Sequence, residues 1–181
     1  MLAAGAGSRF GGEKLLHPLA DGTPIGVAAA RQLLAVVSDV VAVVRPGDFP
    51  LADLLEQEGC RVSVCAQASR GMGASLAHGV GMCRNAGGWL IALADMPRIK
   101  SATIASIAAE LLAGKDLVAP VHHGKRGHPI GIGKRFSAQL LALDGDFGAR
   151  EIIAAHQREL MLLECDDPGV LHDVDRREDL P

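Results

Sequence analysis

Aromatic side chains are almost missing from this chain: its 181 residues include no tyrosine, one tryptophan and four phenylalanines. That removes the stacking platforms on which proteins seat single-stranded nucleic acid. A basic excess is missing too. Lysine and arginine number 18 against 21 acidic residues, for a formal charge of −3, so there is no electrostatic footprint for a nucleic acid polymer and any bound nucleotide is expected to be a small molecule. The four cysteines, Cys60, Cys65, Cys83 and Cys165, form no C-x-x-C pair, which points to reduced core thiols rather than zinc ligands or disulfides. Neither a signal-like segment nor a long apolar run occurs, and a cytoplasmic protein with no membrane partner is expected.

What the chain has in abundance is small apolar residues and glycine. Hydrophobic residues make up 49% and glycine fills 22 positions, a mixture that suits buried parallel strands under closely packed helices. One domain over 1–181 would bury roughly 70% of its unfolded surface. The hydrophobic spacing predicts helices over 25–37, 51–58, 73–84 and 101–112, alternating with strands over 40–44, 61–65, 89–94 and 117–121. Ser101 is the expected N-cap of the fourth helix. A turn at Gly124 and a returning segment over 128–132 add an antiparallel element, and short helices over 135–143 and 148–156 lead to a last strand over 160–163. Alternation of this kind gives an α/β fold, three layers deep, with a mostly parallel sheet.

The most informative stretch is Leu2-Ala3-Ala4-Gly5-Ala6-Gly7-Ser8-Arg9-Phe10-Gly11-Gly12-Glu13-Lys14. Its glycines let successive N–H groups turn toward phosphate oxygens, and Arg9 and Lys14 supply positive charge for a shifting phosphoryl group. Two better known glycine loops are excluded. Gly7 and Gly12 have P-loop spacing, but Glu13 precedes Lys14 and Leu15 stands where a metal-binding hydroxyl is needed. A dinucleotide fingerprint fails because Phe10 occupies its third glycine position. Only Met1 and Leu2 precede the loop, so the strand that should lead into it reads as cut short.

Further along, Leu90-Ile91-Ala92-Leu93-Ala94 runs into Asp95-Met96-Pro97, which sets a carboxylate at the carboxyl end of a buried strand, where ligands of open α/β sheets bind. Asp95 is therefore expected to hold a hard cation such as Mg2+. Asp173 and Asp175, alternating along an expected strand, offer a second metal carboxylate. Arg70, Gly71, Gly73 and Ser75 open the third helix, with the glycines bringing N–H groups to a ligand and Ser75 reaching a base or ribose. His128, between Gly127 and Pro129, is the candidate imidazole among seven histidines.

Taken together, Leu2 to Gly5 with Arg9 and Lys14, Arg70 to Leu76, Ala94 to Pro97, Arg126 to Pro129, Gly145 to Arg150 and Asp173 to Asp175 resemble the MobA-like nucleotidyltransferases, in order and over almost the whole chain. The similarity is greatest to the molybdenum cofactor cytidylyltransferases. That resemblance implies a Rossmann-like sheet, Mg2+, CTP and a molybdopterin acceptor, with a molybdenum enzyme as a recipient of the product. It implies that Leu2, Ala3, Ala4, Gly5, Gly7, Arg70, Gly71 and Ser75 bind nucleotide, that Arg9, Lys14 and Asp95 are catalytic, and that Asp175 or Asp173 joins Asp95 on the metal. His128, Asp146 and Arg150 would line the acceptor side. Ala3-Ala4-Gly5 resembles the cytidylyl branch rather than guanylyl relatives, which favours CTP over GTP. A sugar or polyol phosphate acceptor, and a non-catalytic maturation factor that binds nucleotide or cofactor, are the alternatives. Arg176 and Arg177 depart from the family pattern beside Asp175.

Overall fold

A computed structural model describes residues 1–180. Strands β1 (Val41–Val44) and β2 (Arg61–Val64) pair in parallel, with Val41 opposite Arg61. Strand β3 (Gly88–Ile91) lies antiparallel to β6 (Ile130–Gly133), and β6 lies antiparallel to β4 (Leu117–His122). A two-residue strand, β5 (Lys125–Arg126), folds back on β4, while β7 (Met161–Glu164) pairs with β4 in parallel. Residues 1–3 join the two groups of strands. Leu2 bridges Val43 on one side and Leu93 on the other, both in parallel, with Ala3 N donating to Val43 O at 2.9 Å and Leu2 N to Ala92 O at 2.8 Å. Apart from β5 and β6, the strands all run one way, so the sheet is mostly parallel with an antiparallel insertion. An apolar cavity of about 540 Å³, bounded by Val41, Val43, Leu76, Val80, Trp89 and Leu111, lies between β1 and β3 beside Met1.

Helices cover both faces, which makes the three expected layers. One face is packed by α1 (Ile25–Leu34), α2 (Phe49–Gln57) and α4 (Ser101–Leu112), through Ile25, Leu33, Leu51, Leu55 and Ile104. The other carries α3 (Met72–Met82), α5 (Ser137–Leu141) and α6 (Arg150–Ala155), through Leu76, Val80, Leu140, Ile152 and Ile153. Each fully buried Leu or Ile contributes about 1.5–3 kcal/mol. No described helix is long and apolar enough to cross a membrane.

Three local expectations need correction. Helix α1 stops at Leu34 rather than 37, because the N–H groups of Val36 and Val37 both turn back to Leu33 O and close the helix. Ser101 is the first helical residue, not the cap. Its N–H goes to Gln32 Oε1, while the preceding Lys100 N and the hydroxyl of Thr103 both donate to Asp167 Oδ2, at 2.9 and 2.7 Å. Asp173 and Asp175 do not lie on a strand. They follow a 3-10 turn, Pro168–Leu171, in an irregular strap whose Val174 N–H donates to Asp95 O at 2.9 Å.

Asp167 ties that strap to α4. Its side chain is buried and also accepts from Gly169 N at 3.0 Å. Replacing Asp167 by alanine strands two backbone N–H groups and one hydroxyl, and is expected to destabilise the fold by about 2–4 kcal/mol, measured by chemical denaturation. Asp167→Asn keeps one acceptor oxygen and should cost less.

Candidate nucleotide site

At the carboxyl edge of the sheet lies a pocket of about 630 Å³. Of the expected nucleotide residues, Leu2, Ala3, Ala4, Gly5, Gly71 and Ser75 line it, together with Lys14 and Asp95. Gly7, at a φ of +60° that favours glycine, lies in a small adjoining recess where the loop folds back on Lys14. Among the described residues, the N–H groups of Ala4, Gly5 and Ala6 make no hydrogen bond. A row of free, adjacent N–H donors is a cradle for an anion. Sequence reasoning explains it: small residues after a buried strand leave the backbone uncovered.

Three carboxylates converge beside this loop. One ligand oxygen from each of Asp95, Asp173 and Asp175 lies within 4.8 Å of the others. Asp95 Oδ1 is buried without a hydrogen-bond partner, an orphan that a metal ion would satisfy. A donor set made only of carboxylate oxygens suits a hard divalent cation. The other Asp95 oxygen is held by Lys14, whose Nζ lies 2.6 Å from Oδ2 and 3.3 Å from Asp175 Oδ1. Arg9 pairs with the second Asp175 oxygen at 2.5 Å. The two loop cations thus sit on the carboxylates that would hold the metal. Arg176 and Arg177 leave Asp175 in place, because Asp179 Oδ2 accepts from both Asp175 N and Arg176 N.

The segment around Gly71 is shaped by a second loop. Gly71 has a φ of +122°, and a Cβ there would collide with Asp146 and Gly145. Gly73 donates its N–H to Gly145 O at 2.8 Å, so this group serves the fold and is not free for a ligand. Arg70 points outward to Asp144. Ser75 is buried at 4% exposure on the pocket wall.

Of the expected acceptor residues, Asp146 alone lines the nucleotide pocket. Arg150 is exposed at the start of α6, and His128 sits half-buried under the strap with its N–H donating to Val170 O. Burial holds the His128 imidazole below its usual range, and Arg126 adds to this, while Asp95 and Asp173 pull the other way. A folded-state value below the unfolded one means that the unfolded chain takes up the proton first. Stability is therefore expected to fall as pH drops through the ordinary histidine value of about 6.5. His128→Gln should flatten that part of a stability profile recorded by denaturation between pH 5 and 8.

One pocket residue escaped the sequence reading. Arg45 follows β1 directly and lines both the main pocket and the recess under the glycine loop. The rule that singled out Asp95, a charged residue at the carboxyl end of a buried strand, would have found it.

An open sheet with a row of free N–H groups, two cations and a carboxylate cluster at its carboxyl edge has the makings of a nucleotide-handling transferase. A family model described as the MobA-like NTP transferase domain matches residues 1–160, and the chain belongs to that family. It is similar to nicotine blue oxidoreductase of Paenarthrobacter nicotinovorans, with 28% identity over 99% of this chain and 92% of that protein. Among solved structures it is similar to Rv0371c of Mycobacterium tuberculosis, with 25% identity and a TM-score of 0.81 over 98% of this chain and 91% of that one. The same protein has been solved as a manganese complex, matching at 21% identity and a TM-score of 0.77 over 98% and 92%. A nucleotidyl transferase from Methanothermobacter matches at 23% identity and a TM-score of 0.81 over 98% and 91%.

Proposed function

We propose that this nucleotidyltransferase moves CMP from CTP to molybdopterin in a Mg2+-dependent reaction that releases pyrophosphate. The observation that carries the reading is the meeting of free loop N–H groups with Lys14, Arg9 and the Asp95, Asp173 and Asp175 cluster. The terminal phosphate of the acceptor attacks the α-phosphorus of CTP. A new oxygen–phosphorus bond forms as the bond to the β-phosphate oxygen breaks, and pyrophosphate leaves. The acceptor phosphate is already nucleophilic, so no side chain has to form a covalent intermediate.

Ala4, Gly5 and Ala6 hold the triphosphate through their N–H groups, and Ser75 and Gly71 face the sugar and base. Lys14 and Arg9 shift from their carboxylates to the phosphates and stabilise charge gathering on the α-phosphoryl and the departing pyrophosphate. Asp95 with Asp173 or Asp175 would hold the divalent ion, whose chemistry is Lewis-acid polarisation of the α-phosphate. The Rv0371c manganese complex supports a divalent ion in a protein of this fold. His128 and Arg150 serve the acceptor, with Asp146 at the boundary between the two substrates. The reaction belongs in the cytoplasm, with a molybdenum enzyme receiving the product.

The alternatives are transfer to a polyol phosphate and a non-catalytic maturation factor that binds nucleotide. Mass spectrometry of mixtures containing CTP or GTP with molybdopterin or a polyol phosphate separates these. The proposal predicts a cytidylyl adduct of molybdopterin. A cytidylyl adduct of the polyol phosphate would change the acceptor, and bound but unchanged nucleotide would indicate a maturation factor.

A further inference from the structure

We infer that Arg177 is a positioning residue for the nucleotide site: it ties the glycine loop to the carboxylate strap through the ring of Phe10. This rests on the nucleotidyl-transfer reading above. Phe10 stands in the loop between the free N–H groups of Ala4 to Ala6 and Lys14, and it closes a turn there by donating its own N–H to Gly7 O at 3.0 Å. Its ring is buried in the core under α1 and α2, with the His17 ring edge-on at 5.2 Å. The guanidinium carbon of Arg177 lies 5.4 Å from the centroid of the same ring, within the range of a cation–π contact. Phe10 is thus the anchor of the loop, and Arg177 reaches it from the strap.

Two ties therefore join loop and strap, and they differ in kind. Arg9 pairs with Asp175 by charge, and that pair opens when Arg9 moves to the phosphates. Arg177 makes no ion pair among the described residues, so its hold on Phe10 takes nothing from a metal carboxylate. The strap is fixed on this side, since Asp179 Oδ2 accepts from Asp175 N at 3.0 Å and from Arg176 N at 2.7 Å. Arg177 lines neither the nucleotide pocket nor the recess beside it, so it acts through Phe10. A row of N–H groups binds an anion well only if its backbone is already in place, because ordering a loop at the moment of binding costs affinity. The Arg177 tie keeps the loop in its binding shape with Asp175 alongside, and it persists when the Arg9 pair opens.

The test is a double-mutant cycle of Arg177→Ala and Phe10→Leu, with Arg177→Lys as the conservative variant, read by equilibrium binding of inorganic tripolyphosphate in the presence of Mg2+. Arg177→Ala should weaken binding by roughly 2- to 5-fold, the worth of a cation–π contact at an exposed site, with little change in the denaturation midpoint. Arg177→Lys keeps a cation over the ring and should recover most of that loss. Phe10→Leu keeps an apolar side chain in the core but removes the ring, and in that background Arg177→Ala should have almost no further effect, because two residues that share one contact are not additive. A full loss from Arg177→Ala in the Phe10→Leu background would make Arg177 a direct phosphate ligand and overturn the inference. Unchanged tripolyphosphate binding in Arg177→Ala would overturn it too, whatever happens to stability. If wild type binds tripolyphosphate but neither CTP nor GTP, the transfer reading fails while the tie between loop and strap stands.

Discussion

Asp95→Asn is expected to lower turnover by about 10²–10³-fold with little change in stability, the scale seen when one preorganised transition-state contact is removed. Asparagine keeps the volume and still offers one oxygen to Lys14, which now lies 2.6 Å from the carboxylate. What it removes is the negative charge beside the buried Oδ1 that has no partner among the described residues. A hard divalent cation needs that charge, since it is held by only a few carboxylates and completes its shell with phosphate oxygens and water. Manganese binding followed by electron paramagnetic resonance should weaken in parallel with turnover. Unchanged manganese binding in a variant that has lost activity would move the metal to Asp173 and Asp175 alone.

Lys14→Ala should separate two quantities that usually move together. The side chain of Lys14 is 11% exposed and its ammonium lies against both Asp95 and Asp175, so it competes with a metal ion for the same oxygens. Removing it is expected to tighten manganese binding in the absence of nucleotide by about tenfold, a modest share of the Coulomb energy between unit charges at this range. Turnover should nevertheless fall by about 10²–10³-fold, because the charge that the developing phosphoryl oxygens require is gone. The loss of kcat should exceed the loss of CTP affinity, which marks an interaction realised in the transition state. Equal losses would mean that Lys14 acts only in ground-state binding, and unaltered metal affinity would show that its contact with Asp95 does not hold the site shut.

The sequence announced whatever was local. Short apolar runs identified β1, β3 and β4, and the position of Asp95 after such a run foretold its place at the carboxyl edge. The glycine loop was legible because free N–H groups follow from small residues. Features set by distant partners were not. Ser101 looked like a cap, but the true acceptor is Asp167, 67 positions beyond Lys100 in the chain. Asp173 and Asp175 were named on the wrong kind of element. Their convergence on Asp95 comes from Val174 bonding to Asp95 O and from the Asp167 anchor, and alternation along a strand plays no part. Gly73 resembled a ligand-binding glycine, yet its N–H is used by Gly145, whose loop lies some seventy residues away and left no mark in the local pattern.

The most direct test of the account is pyrophosphate release from CTP and molybdopterin as Mg2+ is titrated. The account predicts saturable release, with one pyrophosphate for each acceptor consumed, lost on chelation and restored by Mg2+ or Mn2+. Release that ignores divalent metal, or consumption of molybdopterin with no pyrophosphate formed, would contradict it.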